Sequence, residues 1–372
     1  MELIERYRPK SFEEVLGQKE LVSTLARRVT RRDHSRHIVL HGPKGSGKTT
    51  VARLYAQALQ CAEPTPTGSP CQRCDPCLGF DPIGGGYGYL ELDAEKHGDI
   101  EHARDLLDFV NGLNIGDWSA IVIKKADRLS DNAADILLRT LEERSRATTF
   151  IFVLHQVSAL QPALRSRTQA FRLRPLADDV ALNHLATVCQ TENFPYEDLA
   201  LEAIVLACRA FPGQSLRKLF EIANLGDITL ARTLEVCGLD WGDKMLACWR
   251  ALLANERNEG LSLFEALGPD SVSRVRAMQS FLLTIYLRAL CSPPIGGKLD
   301  PAVGHMSAES WGFVVDGLRD RARTRNMTLA ELGSELVSFW ADSCVQESVT
   351  LRLRYLSFHD LLNEASRGEN AC

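Results

Sequence analysis

At 372 residues, with 45% hydrophobic and 24% charged side chains, the chain has an ordinary globular composition and length for two or three domains. A net charge of −5 excludes a protein that coats nucleic acid by bulk charge, though not a local basic track on one face. Met1 to Lys10 is charged throughout and no apolar run approaches the length of a membrane helix, so the expectation is a cytoplasmic protein with no secretory leader and no membrane partner.

In chain order, residues 37–40 (HIVL) read as a short apolar strand running into Gly42-Pro43-Lys44-Gly45-Ser46-Gly47-Lys48-Thr49. That stretch spells G-x-x-x-x-G-K-T, the phosphate-binding P-loop. Its glycines let the backbone curl so that successive N–H groups face phosphate oxygens, and the following helix adds its N-terminal dipole. Lys48 is expected to place a charge on the β- and γ-phosphates and Thr49 to offer its hydroxyl to Mg²⁺. Gly42, Gly45, Ser46, Gly47 and Thr50 complete the expected cradle, and the expected ligand is ATP or ADP, with or without Mg²⁺. Residues 50–59 (TVARLYAQAL) read as the helix, with Val51, Leu54, Tyr55, Ala58 and Leu59 on one face.

Cys61, Cys71, Cys74 and Cys77 follow in a Pro- and Gly-rich segment with the spacing C-x9-C-x2-C-x2-C. In a cytosolic chain disulfides rarely persist, and thiolates at this density fit tetrahedral Zn²⁺. Four thiolates close the coordination shell, which makes the metal structural; an iron–sulfur cluster is the alternative. Most of the other cysteines (Cys189, Cys208, Cys237, Cys248, Cys291, Cys344, Cys372) lie in helical patterns and read as small buried hydrophobes, with the terminal Cys372 expected to be exposed.

Residues 120–123 (AIVI) have the all-apolar pattern of a central parallel strand. P-loop ATPases end this strand with carboxylates that hold Mg²⁺ and activate water. Here Lys124 and Lys125 stand in those places. A protonated amine has no lone pair for a metal and is no base at neutral pH. Either the lysines neutralise phosphate charge in place of the metal or they simply end its use; Asp127 is either a displaced metal ligand or a residue that caps or precedes the next helix, 131–143. The strand 149–154 is followed by His155, and Arg165 and Arg167 flank Ser166 in a short loop.

The alternation of strands and helices up to about residue 174 predicts an α/β module, a parallel sheet with flanking helices, ending at Arg172-Leu173-Arg174-Pro175. Residues 175–228 are expected to form a small helical lid. Residues 229–372 are expected to be all-helical, with helices at 243–254, 271–291, 307–325, 329–346 and 349–365, and a loop at 292–297.

Glu5-Arg6-Tyr7-Arg8-Pro9-Lys10-Ser11-Phe12, followed by Val15-Leu16-Gly17-Gln18, resembles the N-terminal signature of clamp-loader AAA+ subunits. The P-loop, the cysteine insert, Leu137 to Glu143 (LLRTLEE), Leu164-Arg165-Ser166-Arg167-Thr168 and Gly213-Gln214-Ser215-Leu216-Arg217 continue the resemblance over residues 1–225. It points to the bacterial DNA polymerase III clamp loader, the group that includes gamma/tau and delta-prime. The resemblance implies nucleotide contacts from Tyr7, Arg8 and Pro9, a second-sensor contact from Arg217, and an arginine finger, Arg167, reaching ATP held by a neighbouring subunit. The implied partners are other clamp-loader subunits in a hetero-oligomeric ring, a sliding clamp and primer-template DNA, with the C-terminal helices as the collar. Leu90 to Ala94 (LELDA) and Ala103 to Leu107 (ARDLL) look like gamma/tau; Ala126 to Ser130 (ADRLS) with Ala133-Ala134, and the missing carboxylates, look like delta-prime, a stator. An active gamma/tau-type ATPase drawing a carboxylate from Asp127, Glu142 or a partner is the alternative, and a helicase-type motor a weaker one. At Lys96 to Asp99, where the resembled gamma/tau family tends to be basic, Asp99 has the wrong sign for a phosphate partner; Lys96 and Arg104 either compensate or dress a solvated helix face, and at most a minor phosphate contact to DNA is expected.

Overall fold

The computed structural model describes residues 3–32, 36–81, 88–97, 101, 119–142, 148–239, 242–267, 274, 277–278, 281–282, 308–328, 331–332 and 335–336. The expected loop 292–297 and helix 349–365 lie outside the described residues, as do most of the expected helices 271–291 and 329–346, and Ala103 to Leu107, Asp99, Glu143, Cys291, Cys344 and Cys372. The chain divides into two compact units, one formed by residues 1–188 and 208–220, the other by 189–207 and 221–372.

The first unit is built on five parallel strands: β1 (His37–His41), β2 (Tyr89–Asp93), β3 (Ser119–Lys124), β4 (Thr148–Leu154) and β5 (Thr168–Arg172), in the order β2-β3-β4-β1-β5. Position in the sheet follows apolar content. The runs IVL, AIVI and FIFVL form the central strands β1, β3 and β4, buried on both faces, whereas the mixed sequences YLELD and TQAFR take the edges, where half of the backbone is open.

Side chains alternate across the sheet with period two. Ile38, Leu40, Val122, Ile151 and Val153 join one core with Leu25, Val51, Leu54, Tyr55 and Leu59. Val39, Ile121, Ile123, Phe150, Phe152 and Leu154 join the other with Leu137 and Leu164. The helix Lys48–Gln60 therefore packs on one face and the helix Asp131–Glu142 on the other. All five apolar residues expected on the inner face of the first helix are buried.

The helices Asp178–Glu192, Asp198–Ala207 and Pro212–Ala223 follow the sheet, in the stretch expected to be helical. The second unit has its own core around Met245, Trp249, Leu252, Phe264, Val314 and Leu318, with Trp249 and Phe281 edge to face at 5.7 Å between ring centres. Its helices Gly242–Leu253 and Ala308–Thr324 fall within a residue of the expected spans. Among the described residues no helix is long and apolar enough to cross a membrane.

Candidate nucleotide-binding site and cysteine cluster

β1 ends at His41 and the chain turns at once into the P-loop, because the loop must begin where a central strand delivers it to the sheet edge. A cavity of about 610 Å³ opens there. Its wall holds Lys44 to Thr50, the N-terminal Tyr7, Arg8 and Pro9, the strand-end residues Asp93, Lys124, Lys125, Leu154 and His155, and Gly213, Gln214 and Arg217. Gly45 has φ +81, and a Cβ there would lie 2.5 Å from Gln214 Cγ. Only glycine permits this approach, in which Gly213 N donates to Gly45 O at 2.9 Å and the Gln214 amide donates to Lys44 O.

Two buried groups of the loop fit an anion. Lys48 Nζ donates to Gly42 O at 2.7 Å and Pro43 O at 2.6 Å, which are carbonyls rather than charges, and burial pushes its pKa down to about 8. Ser46 Oγ is buried with no hydrogen-bond partner. Phosphate oxygens at the N-terminus of the helix Lys48–Gln60 would satisfy both. Arg8 Nη1 donates to Thr50 Oγ1 at 3.2 Å and Nη2 to Glu5 Oε1 at 2.6 Å, while the Tyr7 ring lies 6.1 Å from that of Phe220. The N-terminal strap is thus fastened to the P-loop helix.

The tip of β3 carries Lys124 and Lys125, and each is committed to a carboxylate from β2 or just beyond it. In the parallel register Lys124 stands opposite Asp93. Lys124 Nζ lies 2.8 Å from Glu91 Oε1, and Lys125 Nζ lies 3.3 Å from Asp93 Oδ2 and also pairs with Glu95. Glu91 is the hub: Arg53 grips it with two hydrogen bonds of 2.7 and 2.8 Å, and Tyr89 OH donates to it at 2.6 Å. Burial alone would raise its pKa, but hydrogen bonds from Arg53, Lys124 and Tyr89 outweigh burial and hold it at about 2. Asp127 lies in the short turn Ala126–Arg128, off the cavity wall, 3.9 Å from Arg128 Nε. It precedes the next helix without capping it; Ser130 Oγ takes the cap, accepting from Ala133 N at 3.3 Å.

Cys61, Cys71, Cys74 and Cys77 converge, their sulfurs all within 4.8 Å of one another. Zinc–sulfur bonds of about 2.3 Å in a tetrahedron would set sulfurs about 3.8 Å apart, and Cys61 Sγ lies 3.9 Å from Cys74 Sγ. Cys71 N donates to Cys61 Sγ at 3.2 Å and Cys74 N to Cys71 Sγ at 3.3 Å, the N–H donors that thiolates require. The Arg73 backbone N–H, foremost, draws the Cys71 thiol down to about 6, while burial pushes Cys61 up to about 11 and Cys77 higher still. A cation would reverse the last two. The donor set fits a structural zinc.

Residues 17–177 match the family described as DNA polymerase III, delta subunit. The DNA polymerase III subunit gamma/tau of Mycobacterium bovis is 29% identical over 265 residues, covering 68% of this chain and 46% of that protein. The DNA polymerase III subunit tau/gamma of Haemophilus influenzae is 30% identical over 226 residues, covering 60% and 33%. The chain is a homologue of the bacterial DNA polymerase III clamp-loader AAA+ subunits. It spans less than half the length of these two relatives. The Thermotoga maritima RuvB Holliday junction branch migration motor superposes with a TM-score of 0.50 at 18% identity, covering 82% of this chain and 90% of that one, a likeness of AAA+ fold alone.

For a clamp-loader homologue, the structure gathers Tyr7, Arg8, Pro9, the P-loop and Arg217 around one cavity. An AAA+ fold implies nucleotide binding, and this cavity has the buried cation and hydroxyl for it. Arg167 stands elsewhere, exposed at the end of the helix Pro162–Ser166, donating to Ala163 O and Ser166 Oγ at 3.3 Å each. His155 gives its carbonyl to Gly42 N at 3.0 Å and leaves an exposed ring at the cavity wall beside aliphatic Leu154. Sequence reasoning passed over Arg53, Glu91, Asp93, Glu95 and Gln214. The signal for the first four was a charge pattern: acidic residues in one strand, two lysines ending another, and no carboxylate where the P-loop needs one.

Proposed function

We propose that this chain is a delta-prime-like stator of a DNA polymerase III clamp loader. It grips a nucleotide, hydrolyses it poorly or not at all, and presents Arg167 to ATP on a neighbouring subunit while a sliding clamp is loaded at primer-template DNA. Residues 175–228 serve as its lid and 229–372 as the collar that joins it to the other clamp-loader subunits. The observation that carries this reading is the β3 tip: Lys124 and Lys125 replace the metal-holding carboxylates and are themselves held by Glu91, Asp93 and Glu95. Among the described residues, the carboxylates on the cavity wall, Glu14 and Asp93, are both engaged, which leaves none there to position Mg²⁺ or a water molecule. The four-cysteine insert serves as a zinc-held structural module.

A gamma/tau-type ATPase is the second reading, favoured by the names of the similar curated proteins. Steady-state phosphate release separates the two. The purified chain is expected to show no turnover above background, and turnover near one per second, typical of slow phosphoryl transfer, would overturn the stator reading. In an assembled loader, Arg167→Ala is expected to cripple clamp loading and Lys48→Ala to leave it largely intact; the reverse pattern would favour the ATPase.

A further inference from the structure

The divalent ion that P-loop proteins hold beside the terminal phosphates does not fit this site. Its protein ligands are the P-loop hydroxyl and carboxylates at the neighbouring strand end. Here the strand end offers two ammonium groups, which have no lone pair to give. The carboxylates that do reach the cavity wall are engaged. Asp93 accepts from Glu95 N at 3.2 Å through Oδ1 and faces Lys125 at 3.3 Å through Oδ2, and Glu14 Oε2 accepts from Lys10 N at 2.7 Å.

What the wall holds in place of a metal is positive charge: Arg8, Lys44, Lys48, Lys124, Lys125 and Arg217 stand against Glu14 and Asp93. A free nucleoside triphosphate carries roughly four negative charges at neutral pH, since the last ionisation of a phosphate falls near pH 6. We infer that this cavity takes a magnesium-free nucleoside polyphosphate, with the ammonium groups of Lys124 and Lys125 standing where the metal stands in other P-loop proteins. The inference rests on the proposed reading of the cavity as a non-hydrolysing nucleotide site and specifies the ionic form of its ligand.

Both ammonium groups are held before a ligand arrives. Glu91 grips Lys124 at 2.8 Å and is itself fixed by Arg53 and Tyr89, while Asp93 and Glu95 hold Lys125. Each ammonium has three N–H donors, so one can bridge from its carboxylate to a phosphate oxygen. Positions fixed in advance reduce the ordering cost of binding. A magnesium complex of the nucleotide would bring a second cation beside these two and cancel part of the charge that draws the phosphates in. Magnesium is therefore expected to compete with the protein for the nucleotide.

The test is calorimetric titration of the purified chain with ATP and with ADP, in EDTA and in excess Mg²⁺, with phosphate release followed in the same samples. Binding in EDTA is expected to be at least as tight as in Mg²⁺, and excess Mg²⁺ to weaken it as the free nucleotide is depleted. Lys125→Met, at a half-exposed side chain, is expected to lose about tenfold in affinity in EDTA and much less in Mg²⁺. The double variant Lys124→Asp with Lys125→Glu is expected to make binding depend on Mg²⁺. Tightening of the unaltered chain by tenfold or more on adding Mg²⁺, without phosphate release, would overturn the inference and leave the stator reading standing. The same tightening accompanied by turnover would overturn both. No binding in either buffer would overturn the inference while leaving the role of Arg167 to its own test.

Discussion

At the scale of single residues, Glu91 and Lys48 are charged groups that burial takes well away from water. The Glu91 side chain is 5% exposed and satisfies Arg53, Lys124 and Tyr89 at once. Removing its charge strands two cations, and breaking such a buried pair costs about 3–5 kcal/mol. Glu91→Gln is therefore expected to lower the unfolding free energy by that much, read as a lower urea midpoint at unchanged slope. The folded pKa of about 2 lies below the ordinary 4.5, so the unfolded chain binds more protons in between. Stability from this group is present above pH 4.5 and is lost as pH falls toward 2, on the order of 3 kcal/mol. Lys48 has the opposite sense. Its ligand-free pKa of about 8 lies below the usual 10.5, and phosphate favours the charged form. Nucleotide affinity is expected to hold up to about pH 8 and then fall by up to about tenfold per unit; titrations at pH 7, 9 and 10 check this, and Lys48→Met should remove the pH step along with most of the affinity. Arg167→Ala should leave this chain's own nucleotide affinity unchanged while cutting turnover in an assembled complex by about 10³-fold or more.

At the scale of elements, the cysteine insert acts on the N-terminal strap. Ser69 Oγ is buried, accepts from Phe12 N at 2.8 Å and donates to Glu13 Oε2 at 2.7 Å, and Gln72 Nε2 donates to Lys10 O at 2.8 Å. Gly68, at φ +82, lets the insert come so close to Ala26 that a Cβ would sit 2.5 Å from its carbonyl oxygen. The strap carries Tyr7, Arg8 and Pro9 to the cavity wall. A strong chelator, by stripping any zinc held on the four thiols, or Cys74→Ser, is expected to expose residues 61–81 to protease and to weaken nucleotide binding several-fold, with sheet content by circular dichroism unchanged. The central strands have no such dependence. Ile151 is fully buried between β1 and β3, and Ile151→Ala should cost about 2–5 kcal/mol of unfolding free energy through lost contact and a residual cavity.

At the scale of the whole molecule, two units each carry a separate core, and every residue lining the nucleotide cavity belongs to the first. A ligand that binds only the folded state adds about 2.7 kcal/mol at a hundredfold excess over its Kd. Hydrogen exchange with and without nucleotide should therefore show new protection concentrated in residues 1–188 and 208–220. Protection appearing first in 221–372 would remove the cavity as the binding site.

The P-loop, its strand and helix, the AIVI and FIFVL strands and the four cysteines were legible in the amino-acid order, because their signals are local. Period-two and helical spacing and fixed ligand intervals depend on neighbours a few residues apart. The loss of carboxylates at Lys124 and Lys125 was legible for the same reason. Their partners were not. Glu91, Asp93 and Glu95 are about 30 residues away in sequence, and only the parallel register of β2 beside β3 brings them within 3.3 Å or less of the two amines. The grip of Gln214 on the P-loop, across 170 residues, was hidden too. Charge compensation in a folded chain depends on distance in space, and that distance is set by strand order, which no local pattern encodes.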